Sequence, residues 1–257
     1  MAHDLAGTVA IVTGGSDGIG RATAALLARR GATVVICARR PEVLGEAKTA
    51  IEGEGGKIET FELDVSNETA FAGLIADVAA RHGRLDFLVN NAMSVHYAPI
   101  SKLTTEHWRK DFAVNAEAVF VGTKAAMKIM AKQGKGSIVN VASTTAIRAT
   151  ANMSSYSASK AALIQFSAVA AMEGARSGIR VNVIVPGQVQ TAATADFATK
   201  APDSAARTTE AIPMGRGGEP GELAEAIVFM LSDAASYITG VALPVDGGKA
   251  AQLYIPS

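Results

Sequence analysis

The sequence is poor in several residues that would mark particular kinds of protein. Of its 257 residues only Cys37 is a cysteine. No intrachain disulfide can form, and a reducing compartment is the simplest setting. The four histidines, His3, His82, His96 and His107, are scattered and stop at residue 107. With one cysteine they give no zinc-ligand cluster, and no metal is expected. Neither sign of charge is in excess: 24 basic residues stand against 24 acidic ones. Nucleic-acid binders usually carry a basic excess or stripe, so nucleic acid is not an expected partner. Long apolar runs are also missing. Ala161 to Met172 is among the longest without charge. That is far short of the roughly 18–20 residues a membrane span needs. The first residues show no basic-then-apolar leader. A soluble, cytoplasmic protein with no membrane partner is expected.

Apolar residues, 49% of the chain, are plentiful, and 25 glycines punctuate them. Short apolar runs predict strands at Val9–Val12, Thr33–Cys37, Lys57–Leu63, Leu85–Val89, Ser137–Val141, Val181–Val185 and Val241–Val245. Helical patterns fall between them. They cover Ile19–Arg30, Pro41 to about Gly53, and a stretch capped by Ser66 that runs to His82. A long one opens at Thr104 or Thr105 and ends by Gly134; the last two are Ser154–Arg176 and Gly221–Leu231. Strands alternating with helices imply βαβ units with right-handed crossovers. The expected fold is α/β, a single doubly wound Rossmann-type domain over residues 1–257, with a mainly parallel, roughly seven-stranded sheet. Residues 188–218 break the pattern. They are rich in Ala and Thr, hold Pro202 and Pro213, and have weak periodicity. A long irregular segment in a compact domain reads as a substrate loop or lid.

Gly14, Gly18 and Gly20 lie between the first strand and the first helix. A helix N-terminus there offers free N–H groups and the positive end of its dipole to a phosphate. The spacing is T-G-x-x-x-G-x-G, not G-x-G-x-x-G. Alone, such a cluster also suits a structural turn; its place after the first strand favours a dinucleotide. Gly14-Gly-Ser16-Asp-Gly18 also fits the G-x-S-x-G elbow of hydrolases. That elbow needs a histidine late in the chain, and none follows residue 107. At the end of the second strand an acid would bind the ribose of NAD. This chain has Ala38-Arg39-Arg40 there, and a guanidinium suits a 2′-phosphate. NADP is favoured, with NAD possible. Asp17 counts slightly against it, and the plain alternative is that both arginines merely start a solvated helix.

Tyr156 and Lys160 are four residues apart at the start of a predicted helix, so they share a face. A tyrosine near its ordinary pKa of about 10 is a poor base, and a neighbouring cation favours its phenolate. Such a pair can exchange a proton with an alcohol or carbonyl. By itself, this spacing is common and usually structural.

The segments Thr13-Gly-Gly-Ser-Asp-Gly-Ile-Gly20, Asn90-Asn-Ala92, Ser143, Tyr156-Ser-Ala-Ser-Lys160 and Pro186-Gly187 have a familiar order and spacing. From Leu5 to Gly248 the chain resembles the short-chain dehydrogenases/reductases. The resemblance implies an NAD(P)-dependent oxidoreductase interconverting a secondary alcohol and a ketone, commonly as a homotetramer. It implies Tyr156 as general acid/base and Lys160 as the residue that lowers its pKa and binds the nicotinamide ribose. It implies Ser143 as the partner of the substrate oxygen, and Asn115 as holder of a water leading from Lys160 to solvent. Structurally, Ser143 could instead cap a turn and Asn115 satisfy a helix backbone. The implied cofactor site runs through Gly14, Ser16, Asp17, Gly18, Ile19 and Gly20, then Arg39 and Arg40. It continues through Asp64 and Val65, Asn91 and Ala92, and Pro186, Gly187, Val189 and Thr191.

The family usually has Asn-Asn-Ala-Gly after the fourth strand, where this chain has Met93. Either the backbone there is not in a glycine-only conformation, or the pocket is reshaped. Met93, Ser94, His96 and Gln188 are the candidate substrate contacts. Small and apolar neighbours suggest a neutral, moderately hydrophobic ketone or secondary alcohol. A 3-oxoacyl-thioester reductase and a hydroxysteroid or sugar dehydrogenase are the nearest alternatives. A silent dinucleotide-sensing protein is the alternative of another class; it has no need of Tyr156, Lys160 and Ser143, all of which are present.

Overall fold

The computed structural model describes residues 5–252. Its strands are β1 (Val9–Thr13), β2 (Thr33–Ala38), β3 (Lys57–Glu62), β4 (Phe87–Asn90), β5 (Gly136–Val141), β6 (Ile179–Pro186) and β7 (Ala242–Val245). They form one sheet in the order β3-β2-β1-β4-β5-β6-β7, and every pairing is parallel. The order reverses between β1 and β4. A crevice opens there at the carboxyl ends of the strands, the position where doubly wound sheets take their ligands.

Successive strand residues face opposite sides of the sheet, and both sides are covered. Ala10, Val12, Val34 and Ile36 pack under α1 (Gly18–Arg29), α2 (Pro41–Gly53) and α9 (Pro220–Leu231). Val9, Ile11, Val35 and Cys37 pack under α3 (Glu68–His82), α5 (Ala118–Gln133) and α6 (Ser154–Gly174). A polar thread runs through this core. Asn90 Nδ2 donates to Asn140 Oδ1 at 2.8 Å, and Asn140 Nδ2 donates to Ser167 Oγ at 2.8 Å. Each polar atom so buried keeps a partner, which offsets its desolvation.

Three expectations need correction. The cap of α3 is Asn67, whose Oδ1 accepts from the Ala70 N–H at 3.1 Å. Ser66 is spoken for: its N–H and hydroxyl both donate to Asp64 Oδ1, at 3.0 and 2.7 Å. The long helix after Thr104 is not continuous. α4 (Thr105–Phe112) passes into α5 through a π-helical turn, Ala113–Glu117. Residues 188–218 are not irregular but hold α7 (Ala192–Lys200) and α8 (Pro202–Glu210). Thr191 and Thr194 exchange hydrogen bonds at the start of α7, and Pro202 occupies the first turn of α8, where its missing N–H costs nothing. Gln190 N–H to Gly218 O and Gly218 N–H to Gln188 O, at 2.8 and 2.9 Å, staple the two ends of this segment together.

Candidate active site

The glycine turn is built by mutual clamping of β1 and β4. The Thr13 hydroxyl accepts from the Asn91 and Ala92 N–H groups at 2.9 and 3.0 Å. Asn91 Nδ2 donates back to the carbonyls of Thr13 and Gly14, at 3.0 and 3.2 Å. Gly14 has φ +62°, and a Cβ there would stand 3.0 Å from Ala92 Cα. Gly20 is needed for a different reason. A Cβ on it would lie 2.2 Å from the Gly14 carbonyl oxygen, so α1 can seat on the turn only without a side chain. Asp17 caps α1 by accepting from the Gly18 N–H at 2.7 Å. Among the described residues no hydrogen bond uses the Ile19 or Gly20 N–H, so both stay open to an anion.

A cavity of about 300 Å³ opens above this turn. Gly14, Ser16, Asp17, Gly18 and Ile19 line one side. Arg39 and Arg40 follow β2, Asp64 and Val65 follow β3, Asn91 and Ala92 follow β4, and Thr191 closes it. Cys37, Ala38, Leu63 and Val114 also line it. Nothing in their local pattern singles these out, because a strand end and a helix face look alike whether or not a ligand lies beyond them. Asp17 is less of an obstacle than its charge suggests. It stands 3.9 Å from Arg40, both side chains being well exposed, so its charge is set against Arg40. Burial opposes ionisation of Asp64, but the Ser66 hydrogen bonds and the charges of Arg39 and Lys110 outweigh it and hold its carboxyl below the usual range. Anionic Asp64 and cationic Arg39 thus face the same cavity. With open amides, a glycine cradle and a guanidinium, the residues fit a dinucleotide phosphate.

Other expected contacts are placed elsewhere. Val189 is buried in the core beneath α1 and α9. Pro186 ends β6, and Gly187 packs so tightly on Asp246 that a Cβ would come within 2.8 Å of it. Gln188 lines a separate cavity of about 980 Å³ between α1 and the α7–α8 pair, where its Nε2 donates to Thr209 Oγ1 at 3.3 Å. Met93 does line the cavity above the glycine turn and is half exposed. Its φ is not positive: among the described residues Asn152 is the only non-glycine with that conformation. The backbone there does not require glycine.

Tyr156 and Lys160 sit on the first turns of α6, 7% and 1% exposed. Lys160 Nζ donates to the Val141 carbonyl at 2.7 Å and lies 5.9 Å from the centre of the Tyr156 ring. Ser143 follows β5. Its Oγ accepts from the Thr145 N–H at 3.2 Å, capping a short turn, and its side chain also hydrogen-bonds Tyr156. Ser143 thus caps a turn and meets Tyr156 at once. Burial pushes the Tyr156 phenol up to about 12, Ser143 pulls against this, and the charges of Tyr97 and Asp111 add to the rise. Burial also lowers the Lys160 ammonium, to about 7, so near neutrality it carries its proton only part of the time, and only then is a cation placed by the phenol.

Asn115 is fully buried in the π-helical turn. Its Nδ2 donates to Ser94 O at 2.8 Å and Ser159 Oγ at 3.0 Å, and its Oδ1 accepts from Ser94 N–H at 2.9 Å. Both amide hydrogens are used, so this side chain can meet a water only as an acceptor. One turn earlier on the same face is Asp111, which was not among the residues expected at the site. It too is fully buried, and the Ser155 hydroxyl donates to it at 2.5 Å. An acid four residues before Asn115, on the same helix face, was the available signal.

Residues 14–250 match the family model described as Enoyl-(Acyl carrier protein) reductase. The chain is 41% identical over 248 residues to the 2,5-dichloro-2,5-cyclohexadiene-1,4-diol dehydrogenase LinX of Sphingobium indicum, covering 96% of this chain and 98% of that one. A solved structure from Beutenbergia cavernae, assigned as an NAD(P)-dependent gluconate 5-dehydrogenase and holding NADP at low occupancy, superposes with a TM-score of 0.93. It is 36% identical and covers 98% of this chain and 100% of its own. NAD+-bound xylitol dehydrogenase superposes with a TM-score of 0.90 at 31% identity, covering 95% and 99%. The chain belongs to the short-chain dehydrogenase/reductase family. It is an NAD(P)-dependent oxidoreductase of the kind that interconverts secondary alcohols and ketones.

Proposed function

We propose that this protein reduces a small, neutral ketone, or oxidises the matching secondary alcohol, with NADP preferred over NAD. The observation that carries the reading is the meeting of Ser143, Tyr156 and Lys160 at the carboxyl end of the sheet, where the glycine-turn cavity opens. Bound there, a nicotinamide supplies or accepts the hydride. Tyr156 gives its phenolic proton to the carbonyl oxygen in reduction and takes it from the hydroxyl in oxidation. The Ser143 hydroxyl donates to the same oxygen and stabilises its developing charge. Lys160 favours the phenolate whenever it carries its proton, and binds the nicotinamide ribose. Asn115 holds, as acceptor, a water through which Lys160 reaches solvent.

Arg39 supports NADP, since it faces the cavity with no acid at the end of β2 to compete. The proposal takes residues 1–257 as one catalytic domain and 188–218 as its lid. It also includes a cytoplasmic homotetramer. Trp108, Phe120 and Met172 on α4, α5 and α6, and Phe229 and Tyr237 near α9, are exposed large apolar side chains that subunit contacts would cover.

The test is nicotinamide absorbance with NADPH and NADH over cyclic ketones, sugars, a hydroxysteroid pair and a 3-oxoacyl thioester. Turnover of a small neutral ketone, at least about tenfold better with NADPH in kcat/KM, is expected. Tight NADPH binding without turnover of any substrate supports the sensor instead. Turnover confined to the thioester, or preference for NADH, contradicts the proposal.

A further inference from the structure

Asp111 is a buried carboxylate that the reaction does not use. It accepts from Ser94 Oγ at 2.8 Å, His96 N–H at 3.3 Å and Ser155 Oγ at 2.5 Å, and pairs with His96 Nδ1 at 2.7 Å. With no exposure to water, it depends on these four partners to offset the cost of burying a charge. The pairing fixes the imidazole: Nδ1 carries its hydrogen toward Asp111, and Nε2 is the free atom. His107 stacks on one face of the ring, with centroids 4.2 Å apart, and so blocks rotation. Among the described residues Nε2 has no hydrogen-bond partner, and the side chain keeps 22% of its surface open.

The loop that holds His96 starts at the cofactor cavity and ends against the residues just before α6. Met93, at its start, lines the cavity. Tyr97, next to His96, is close enough for its charge to be felt at Tyr156, as is that of Asp111. Ala98 N–H donates to Asn152 O at 3.0 Å, tying the far end of the loop to the residues just before α6. A rigidly held, unpartnered ring nitrogen, on a loop tied to the residues just before α6, is a recognition group for a second polar substituent.

We propose that His96, positioned by Asp111, selects secondary alcohols and ketones that carry a second hydroxyl, by hydrogen-bonding that hydroxyl through Nε2. A hydroxyl suits the site in either protonation state of the ring, since it can donate to a neutral Nε2 or accept from a charged one. A substrate carboxylate is disfavoured, because the Asp111 carboxylate stands directly behind the ring. The inference rests on the alcohol–ketone reading above.

The test compares cyclohexanol with the 1,2-, 1,3- and 1,4-cyclohexanediols, using intact protein and NADP. At least one diol should exceed cyclohexanol by about tenfold or more in kcat/KM, because a site built to bond a hydroxyl rejects the analogue without it. His96→Phe should bring that ratio to about one, the loss falling on KM for the diol. His96→Gln should restore part of the ratio. Asp111→Asn should lower the ratio in the same sense, by freeing the ring. Equal turnover of cyclohexanol and all diols by the wild type, or a parallel loss on both in His96→Phe, overturns the inference while the dehydrogenase reading stands. No turnover of any secondary alcohol by the wild type overturns that reading and the inference with it.

Discussion

The Lys160 ammonium donates to the Val141 carbonyl at 2.7 Å, anchoring the helix that bears Tyr156 to the strand that leads to Ser143. A carbonyl is a weak partner for a buried cation, and burial lowers the Lys160 pKa from 10.5 to about 7. Unfolded, the same lysine keeps its proton to its ordinary value. Between about pH 7 and about pH 10 the unfolded chain therefore binds a proton that the folded one lacks, and stability rises with pH. Burial raises Cys37 from 9.0 to about 12, which works the other way above about pH 9. In the cofactor-free protein, stability should rise by up to about 2 kcal/mol from about pH 7 to about pH 8.5. Urea unfolding checks this. Lys160→Met should flatten the slope; an unchanged slope in that variant would show that Lys160 is not its source.

Arg39 and Arg40 should not be equivalent. Arg40 is within 3.9 Å of Asp17, while Arg39 lines the cavity with no ion pair closer than 4 Å among the described residues. A lost charge-assisted hydrogen bond costs about 1.5–3 kcal/mol. Arg39→Ala should therefore weaken NADP by about 10- to 100-fold and leave NAD nearly unchanged. Arg40→Ala should do much less. Titration of both cofactors by fluorescence decides, and equal losses for NADP and NAD in Arg39→Ala would contradict the assignment.

The glycines make opposite predictions by position. In Gly20→Ala the new Cβ meets the Gly14 carbonyl oxygen at 2.2 Å, a backbone atom that cannot swing aside. A loss of about 2–4 kcal/mol and of cofactor binding is expected. Gly45 lies within α2 with nothing inside 4 Å of its Cβ position. Gly45→Ala should raise stability by up to about 1 kcal/mol. Thermal melts of the two variants should move in opposite directions; a shift of both in one direction contradicts the contact argument.

The central strands were legible because they are buried on both faces and so read as near-continuous apolar runs, as in Val9–Thr13 and Thr33–Ala38. The glycine turn was legible because Gly14 and Gly20 answer to backbone contacts that no other residue satisfies. Other features were hidden for physical reasons. The π-helical turn around Asn115 shifts the hydrogen bonding by one residue without changing the apolar pattern. α7 and α8 are short, weakly patterned helices whose ends are set by Thr191, Thr194 and Pro202. Asp111 is buried by Ser94, His96 and Ser155, partners 15 to 44 residues away, which no local pattern reveals.

The account turns on the Tyr156 phenol as the group that moves the proton. The most direct measurement is turnover by Tyr156→Phe beside the wild type, on whichever alcohol–ketone pair the wild type converts, with cofactor affinity measured in parallel. The substitution removes one oxygen from a side chain whose ring is 7% exposed and packed, so the fold and NADP binding should hold. The expected result is a fall in kcat of about 10²- to 10⁴-fold, the usual contribution of a positioned acid/base. A Phe variant that binds NADP normally and keeps most of its turnover would contradict the account.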